Sequence, residues 1–441
     1  MLRTSPSPLP PAVSRNRICE PSTSPQQRQL LATVDLRSGH PFWLVKNGIL
    51  HAYPPLTRDL SCHVAVIGGG VTGALVAFQL VASGIDTVVL DRRDVGWGST
   101  AATTALLQYE IDTPLYRLAK MVGENHAART YLACRDSIAM LGGIVRQLDD
   151  DCGFERKKSL YYASRRADLP ALHCEFLIRR KHGIRLEWLS ATEVESRVGF
   201  RKPGALLSHD AAQVDAFQLT HALLRKASSK GLHVFDRTAV TTIASPKNRV
   251  ELKTDRGSTV KAKHIVFASG YESQAFLKTK IARLISTYAL ASEPIRGLSR
   301  ALKEQLIWET ARPYLYLRTD GERVIIGGED EDFRDPERRD RLIEGKAKRL
   351  QQKFRRLFPD QPLEVAYAWA GTFGETTDGL AYIGATPEWP RAFFALGYGG
   401  NGITYSALAA DIIRDAILGR PNEYADLFRF DRASAKRGPR R

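Results

Sequence analysis

The sequence predicts an α/β chain built on two sheets, one parallel and one antiparallel. Three observations carry that prediction. Residues 64–67, Val-Ala-Val-Ile, read as a buried strand that runs into three glycines and then a helical pattern. A second strand, glycine turn and helix start recur about 330 residues later, over 392–404. Between them, residues 312–318 alternate strictly, Asp320-Gly321 turns the chain, and 323–328 return as the second arm of a hairpin.

The first element organises the rest. Its glycines fit G-x-G-x-x-G as Gly68, Gly70 and Gly73, and Ala74, Phe78 and Val81 mark one face of the helix that follows. Gly84 ends that helix, and a strand over 87–90 ends on Asp91, 23 positions after Gly68. Each part has a task. Gly68 allows the tight turn, Gly70 lets a pyrophosphate approach the backbone, and Gly73 lets the helix pack on the strand. The helix start offers N–H groups and a positive dipole end, and Asp91 is placed to accept from an adenosine ribose. Strand, glycine turn, helix and acid in this order predict a Rossmann-like dinucleotide site.

Small and hydroxyl residues follow over 98–105, with Ser99, Thr100, Thr103 and Thr104 among them. Such a stretch lets backbone come close to a planar ligand while hydroxyls donate to it. Helices are expected over 114–148, 168–181 and 190–198, the last opened by a Ser190…Glu193 capping box. Strands are expected over 157–163, 204–210, 234–243, 249–254 and 258–268, with a helix over 215–230. The strand His-Ile-Val-Phe-Ala-Ser-Gly ends at Gly270, a second strand end suited to a ligand beside the first glycine loop. In the hairpin, Tyr314, Tyr316 and Arg318 share one face, either plain sheet packing or the lining of a pocket. Residues 330–356 are dense in charge and read as a solvated helical face. The last tract, Gly397-Tyr-Gly-Gly-Asn-Gly-Ile-Thr404, opens a helix whose dipole can stabilise negative charge on a reduced cofactor. Two glycine-rich helix starts predict one long ligand held from both ends.

Composition bounds the alternatives. With 43% hydrophobic and 25% charged residues in 441, the chain reads as an ordinary globular enzyme of two to three domains. No apolar run approaches the roughly 18 residues of a membrane span, so no transmembrane segment is expected. Five cysteines at irregular spacing (Cys19, Cys62, Cys134, Cys152, Cys174) fit a reducing cytoplasm better than a disulfide framework. Of the net charge of +16, residues 1–28 supply +3 and residues 429–441 supply +5. Both ends read as solvated tails, the first disordered and rich in proline and serine, with no apolar core of a secretory signal. No nucleic-acid motif accompanies the charge, and no His, Cys or carboxylate cluster has metal-ligand spacing.

Taken together, the tracts Gly68–Asp91, 98–105, 369–384 and 397–404 resemble the flavin-dependent amine and D-amino-acid oxidase family, over roughly residues 60–420. Within it, Arg312-Pro-Tyr-Leu-Tyr-Leu and Thr372-Phe-Gly-Glu-Thr-Thr-Asp-Gly are most similar to the γ-glutamylputrescine oxidoreductase branch. The resemblance implies bound FAD, an FAD-binding domain gathered from several segments, and a substrate domain on an antiparallel sheet. It implies that Gly68, Gly70, Gly73 and Asp91 hold the ADP half. Ser99, Thr100, Thr103 and Thr104 would lie along pyrophosphate, ribityl and ring, Val240 at adenine, and Gly399, Gly400, Asn401, Gly402, Ile403 and Thr404 at the flavin pyrimidine. The implied partition gives 63–110, 204–283 and 366–428 to FAD and 111–203 and 284–365 to substrate. Residues 1–28 form a disordered tail, 29–62 an irregular arm and 429–441 a basic tail.

One departure carries information. Amino-acid-oxidising members often have W-x-G-x-R-P, whose arginine clamps the substrate carboxylate; here Trp369-Ala-Gly-Thr-Phe373 places phenylalanine there. Phenylalanine makes no bidentate carboxylate contact, and Arg318 is the one substitute on offer. The expected activity is oxidation of a C–N bond in an alkylamine of the γ-glutamylputrescine kind, by hydride transfer to flavin and hydrolysis of the imine. Oxygen or a quinone would take the electrons. Tyr314, Tyr316, Arg318 and Phe373 are the expected pocket residues, and no side chain is singled out as catalytic. Two other readings are an amino- or hydroxy-acid dehydrogenase coupled to quinone, and a flavin-binding subunit without turnover.

Overall fold

A computed structural model describes Asp35 and residues 37–246 and 248–432. The expected tail 1–28, Cys19 and all but the first four residues of the basic tail lie outside the described residues.

The two sheets are present. Five strands run parallel in the order Trp389–Leu396, Thr259–Phe267, Leu60–Ile67, Thr87–Leu90, His233–Phe235. Antiparallel neighbours extend them: Tyr382–Thr386 at one edge, and Val250–Thr254 with Val240–Ala244 beside Thr259–Phe267. The residues 234–243, expected as one strand, break at Asp236–Ala239, because His233–Phe235 and Val240–Ala244 join different neighbours. Val71–Ala82, Ala216–Ser228, Glu124–Val145 and Gly402–Leu418 pack together over this sheet in the largest core. The two glycine-led helices touch directly, and the Thr72 and Ser406 hydroxyls bond at 2.7 Å.

Among the described residues the second sheet has ten strands and is antiparallel except where Gln305–Glu309 runs parallel to Glu155–Tyr162. Ile343–Leu357 packs on it, burying Ala347, Leu350 and Phe354 four or fewer positions apart. The charged stretch is thus solvated on one face only. Ser190 and Glu193 exchange the expected capping bonds.

Several segments sit elsewhere than the expected partition has them. Gly204–Gln213 and residues 366–375, given to the FAD part, lie in strands of the antiparallel sheet. Glu124–Val145, given to the substrate part, packs on Gly402–Leu418. The arm is not irregular throughout: Arg37–Gly39 pairs with Val365–Glu375, and Phe42–Asn47 is a helix that buries Trp43. At the other end Arg432 is not part of a solvated tail. Its guanidinium lies 3.5 Å from the Tyr382 ring centroid and donates to Asp378 and the Ala381 carbonyl. In each case the partner is hundreds of residues away or on another element, and periodicity carries no record of it.

Candidate active site

One long cavity runs from the Gly68 turn, between the sheets, to the tyrosines of the hairpin, with about 2270 Å³ of atom-free space counting its open side. The glycine turn fixes its near end. Gly68 has φ +110°, and a Cβ there would meet the Ala268 carbonyl at 2.6 Å. At Gly73 a Cβ would fall 1.8 Å from the Gly68 carbonyl oxygen, so helix and strand meet only because both side chains are missing. Strand Thr259–Phe267 ends level with Leu60–Ile67, Phe267 beside Ile67, which brings Gly270 to the same mouth.

Asp91 borders the cavity, but its oxygens already serve the protein. One accepts the Gly69 N–H at 2.6 Å and the other the Arg93 N–H at 2.7 Å. Burial pushes its carboxyl up to about 6 against those two bonds. Next to it Glu272 pairs with Arg92 and, at 2.9 Å, with Arg93, a cluster the sequence reading missed. Val240 also lines this end.

The hydroxyl tract crosses the middle, its backbone pinned by two buried indoles. Trp43 Nε1 donates to the Thr103 carbonyl at 2.6 Å, and Trp369 Nε1 to the Ala102 carbonyl at 2.8 Å. Thr100 Oγ1 accepts the Val71 N–H at 3.0 Å, tying the tract to the first helix. Ser99, Thr100, Thr103 and Thr104 all face the cavity, and Ser99 Oγ is buried with no partner in the described protein.

At the far end the second glycine turn closes on the hairpin. Gly399, at φ +55°, leaves room for Asp112; a Cβ would come within 2.4 Å of its Oδ2. Asp112 accepts the Gly400 N–H at 2.8 Å and the Tyr314 hydroxyl at 2.9 Å, joining the turn to the antiparallel sheet. Asn401 Nδ2 donates to the Gln108 and Glu110 carbonyls, and Thr404 Oγ1 to the Gln108 carbonyl. Gly399, Gly400, Asn401, Gly402 and Ile403 line the cavity; Gly73 and Thr404 stand behind it.

Tyr314, Tyr316 and Phe373 line the same end. Burial raises both phenols far above their ordinary range, so they act as neutral hydroxyls. Arg318 does not join them. It is 1% exposed, outside the cavity lining, and its Nη1 donates to the Ala105 and Val214 carbonyls at 3.0 and 2.8 Å. Its guanidinium also lies over Trp43, 5.3 Å from the ring centroid. The strand begins only at Tyr316, and Arg318 is fully engaged as an internal brace, so it is no carboxylate clamp. Gln108, Glu110, Asp112, Thr287, Trp308 and Asp330 complete this end and escaped the sequence reading. The run Gln-Tyr-Glu-Ile-Asp over 108–112, acids directly after the hydroxyl tract, was the available signal for two of them.

A glycine-turn parallel sheet sharing one cleft with an antiparallel sheet defines the class of dinucleotide-binding proteins. A family model described as FAD-dependent oxidoreductase, DAO, matches residues 63–416, and the chain belongs to that family. Glycine oxidase of Bacillus licheniformis is 27% identical over 84% of this chain and 97% of its own. Gamma-glutamylputrescine oxidoreductase of Escherichia coli is 24% identical over 86% and 87%. Among solved structures, glycine oxidase from Geobacillus kaustophilus superposes with a TM-score of 0.70 at 23% identity, covering 83% of this chain and 98% of that one. The protein is therefore an FAD-dependent oxidoreductase acting on the C–N bonds of amines or amino acids. Among the described residues no helix is long and apolar enough to cross a membrane.

The residues present fit FAD. Gly70 borders the cavity without a side chain, the first turn of Val71–Ala82 has amides with no carbonyl before them in the helix, and the Ser99 hydroxyl is buried without a partner. Among the described residues neither cysteine nor histidine lines the cavity.

Proposed function

We propose that the chain oxidises an alkylamine with an extended carbon chain, γ-glutamylputrescine-like, in preference to a simple amino acid. The charge of the cavity wall is the observation that carries this reading. Among the described residues its only basic lining residues are Arg92 and Arg93, next to Asp91 at the ADP end. Around Tyr314 and Tyr316 the charged lining residues are Glu110, Asp112 and Asp330, and Phe373 stands at the clamp position. A carboxylate bound there would meet lining carboxylates, the nearby guanidinia of Arg312 and Arg179 standing outside the lining and already bonded to the Asp112 carbonyl and to Glu110 and Glu175, whereas an amine meets acids and aromatic faces.

Bound FAD supplies a two-electron acceptor for hydride from the carbon next to nitrogen. The Gly68 and Gly399 turns, Asp91, Ser99, Thr100, Thr103, Thr104 and Val240 would hold it. The protein contributes orientation and a dry site: Phe373 and Trp308 exclude water, and the neutral phenols of Tyr314 and Tyr316 shape the slot. Oxygen or a quinone accepts the electrons in this reading.

Phe373→Arg tests it. The arginine places a cation where the amine enters, so flavin reduction by an alkylamine should slow by about tenfold or more, while reduction by D-alanine rises. Unchanged amine reduction in Phe373→Arg, or a wild type that prefers D-alanine, would contradict the reading.

A further inference from the structure

Glu110 has a carboxyl oxygen with no hydrogen-bond partner of good geometry, the Ser159 hydroxyl being the neighbouring donor. The residue is 4% exposed and lines the cavity; Oε1 meets Arg179 Nη1 at 3.3 Å, while Oε2 has no partner among the described residues. A buried acceptor left unpaired is costly, and one beside a ligand cavity recovers the cost when the ligand brings a donor. Arg179 cannot turn to serve it. Its Nε is bonded to Glu175 at 2.7 Å, and its guanidinium sits 5.5 Å from the ring centroids of both Tyr109 and Tyr131. Two carboxyl groups thus share one guanidinium. The backbone is fixed as well, since Asn401 holds the Glu110 carbonyl at 2.9 Å against the second glycine turn.

Asp330 lines the same end from strand Arg323–Glu331, its Oδ1 unpartnered, and it makes no ion pair among the described residues. Asp112 differs, both oxygens being occupied by Tyr314 and Gly400. Arg312 is engaged with the Asp112 carbonyl and lies 4.8 Å from the Tyr314 ring centroid. Two anionic positions are therefore left for a ligand, next to the faces of Trp308, Tyr314 and Tyr316.

Their purpose is not to hold the nitrogen that reacts. Hydride leaves the neighbouring carbon only when that nitrogen has its lone pair, and a carboxylate favours the protonated form. We propose that the substrate carries a second ammonium group, remote from the oxidised one, and that Glu110 and Asp330 hold it. This rests on the amine reading above and narrows it from alkylamines to amines that keep a second, remote ammonium: diamines, longer polyamines, or an acylated diamine whose acyl part carries an amino group, as γ-glutamylputrescine does.

The test uses oxidised, FAD-loaded protein, titrated with butane-1,4-diamine and with N-acetylbutane-1,4-diamine, which keeps one amine and loses the second charge. Binding is followed by the flavin absorbance shift and by thermal melting; anaerobic flavin reduction is then measured separately. The diamine should bind about tenfold or more tightly, the value of a charge-assisted hydrogen bond in a dry site. In Glu110→Gln and Asp330→Asn that preference should fall to about twofold. Should Glu110→Gln fail to hold FAD, Asp330→Asn carries the test, because Asp330 supports no ion pair. Equal affinities in wild type, no binding of either ligand, or a preference intact in both variants would overturn the proposal. Tight diamine binding without flavin reduction would keep the cation subsite and overturn amine oxidation. Reduction by both compounds without preference would do the reverse.

Discussion

Arg318 carries its charge where no solvent reaches. Burial draws its pKa down to about 10, which still leaves it cationic at neutral pH, and the Ala105, Val214 and Thr319 carbonyls take its N–H groups. Arg318→Met would leave those carbonyls unpaired in the core. We expect a loss on the order of 3 kcal/mol in chemical unfolding. A variant of near-wild-type stability with a raised KM would instead restore Arg318 as a substrate contact. Asp330 behaves in the opposite sense. Burial, with Asp112 and Glu375 nearby, raises its carboxyl to about 6, against the Thr287 hydroxyl and Arg312. Alkyl ammonium groups titrate near 10, so between pH 5 and 8 only the protein changes charge. Above about 6 the carboxylate is formed and diamine affinity should be full; below it affinity should fall, by at most about tenfold per pH unit for this group. Burial raises Glu110 too, so Asp330→Asn should flatten the profile only in part. A diamine affinity equal at pH 5 and pH 8 would contradict the assignment.

At the scale of elements, the hydroxyl tract 98–105 is held from outside by Trp43 and Trp369. Only Ser99–Ala102 is helical, so most of its shape comes from those two indole bonds and the Arg318 brace. Trp43→Phe removes one bond and keeps most of the packing. FAD retention on ultrafiltration should weaken by roughly 1 kcal/mol, about fivefold. Retention equal to wild type would mean that the tract is shaped by its own residues. The strands and helices around both glycine turns were legible because apolar period and glycine punctuation are local. The Thr87–Leu90 strand and the Ser190 cap fell where the residues put them. Other features were hidden for a physical reason. The alternation in 312–318 says which side chains share a face, and nothing about which face meets the cavity. Tyr314 and Tyr316 reach the lining, whereas Arg318, read as one of their row, is buried among carbonyls. For Glu110 the sequence offers only an acid shortly after the hydroxyl tract. Its role follows from Arg179, 69 residues on, being occupied by Glu175.

At the scale of the whole molecule, the cleft exists because the two sheets share segments. The chain passes from the hydroxyl tract into Leu106–Leu107, an edge strand of the antiparallel sheet, and returns from Val365–Glu375 to the second glycine turn. The glycine-turn wall and the hairpin wall of the cavity are thus built from the same stretches, and Asp112 joins them through Gly400 and Tyr314. What reduces the flavin there decides the substrate class. Mixing the FAD-loaded protein anaerobically with butane-1,4-diamine, N-acetylbutane-1,4-diamine, butylamine, glycine and D-alanine, one at a time, reads this directly in the flavin's visible absorbance. The extended amines should bleach it to completion, about tenfold or more faster than glycine or D-alanine, the margin of one misplaced charge. Faster bleaching by glycine or D-alanine, or none by any amine, would contradict it.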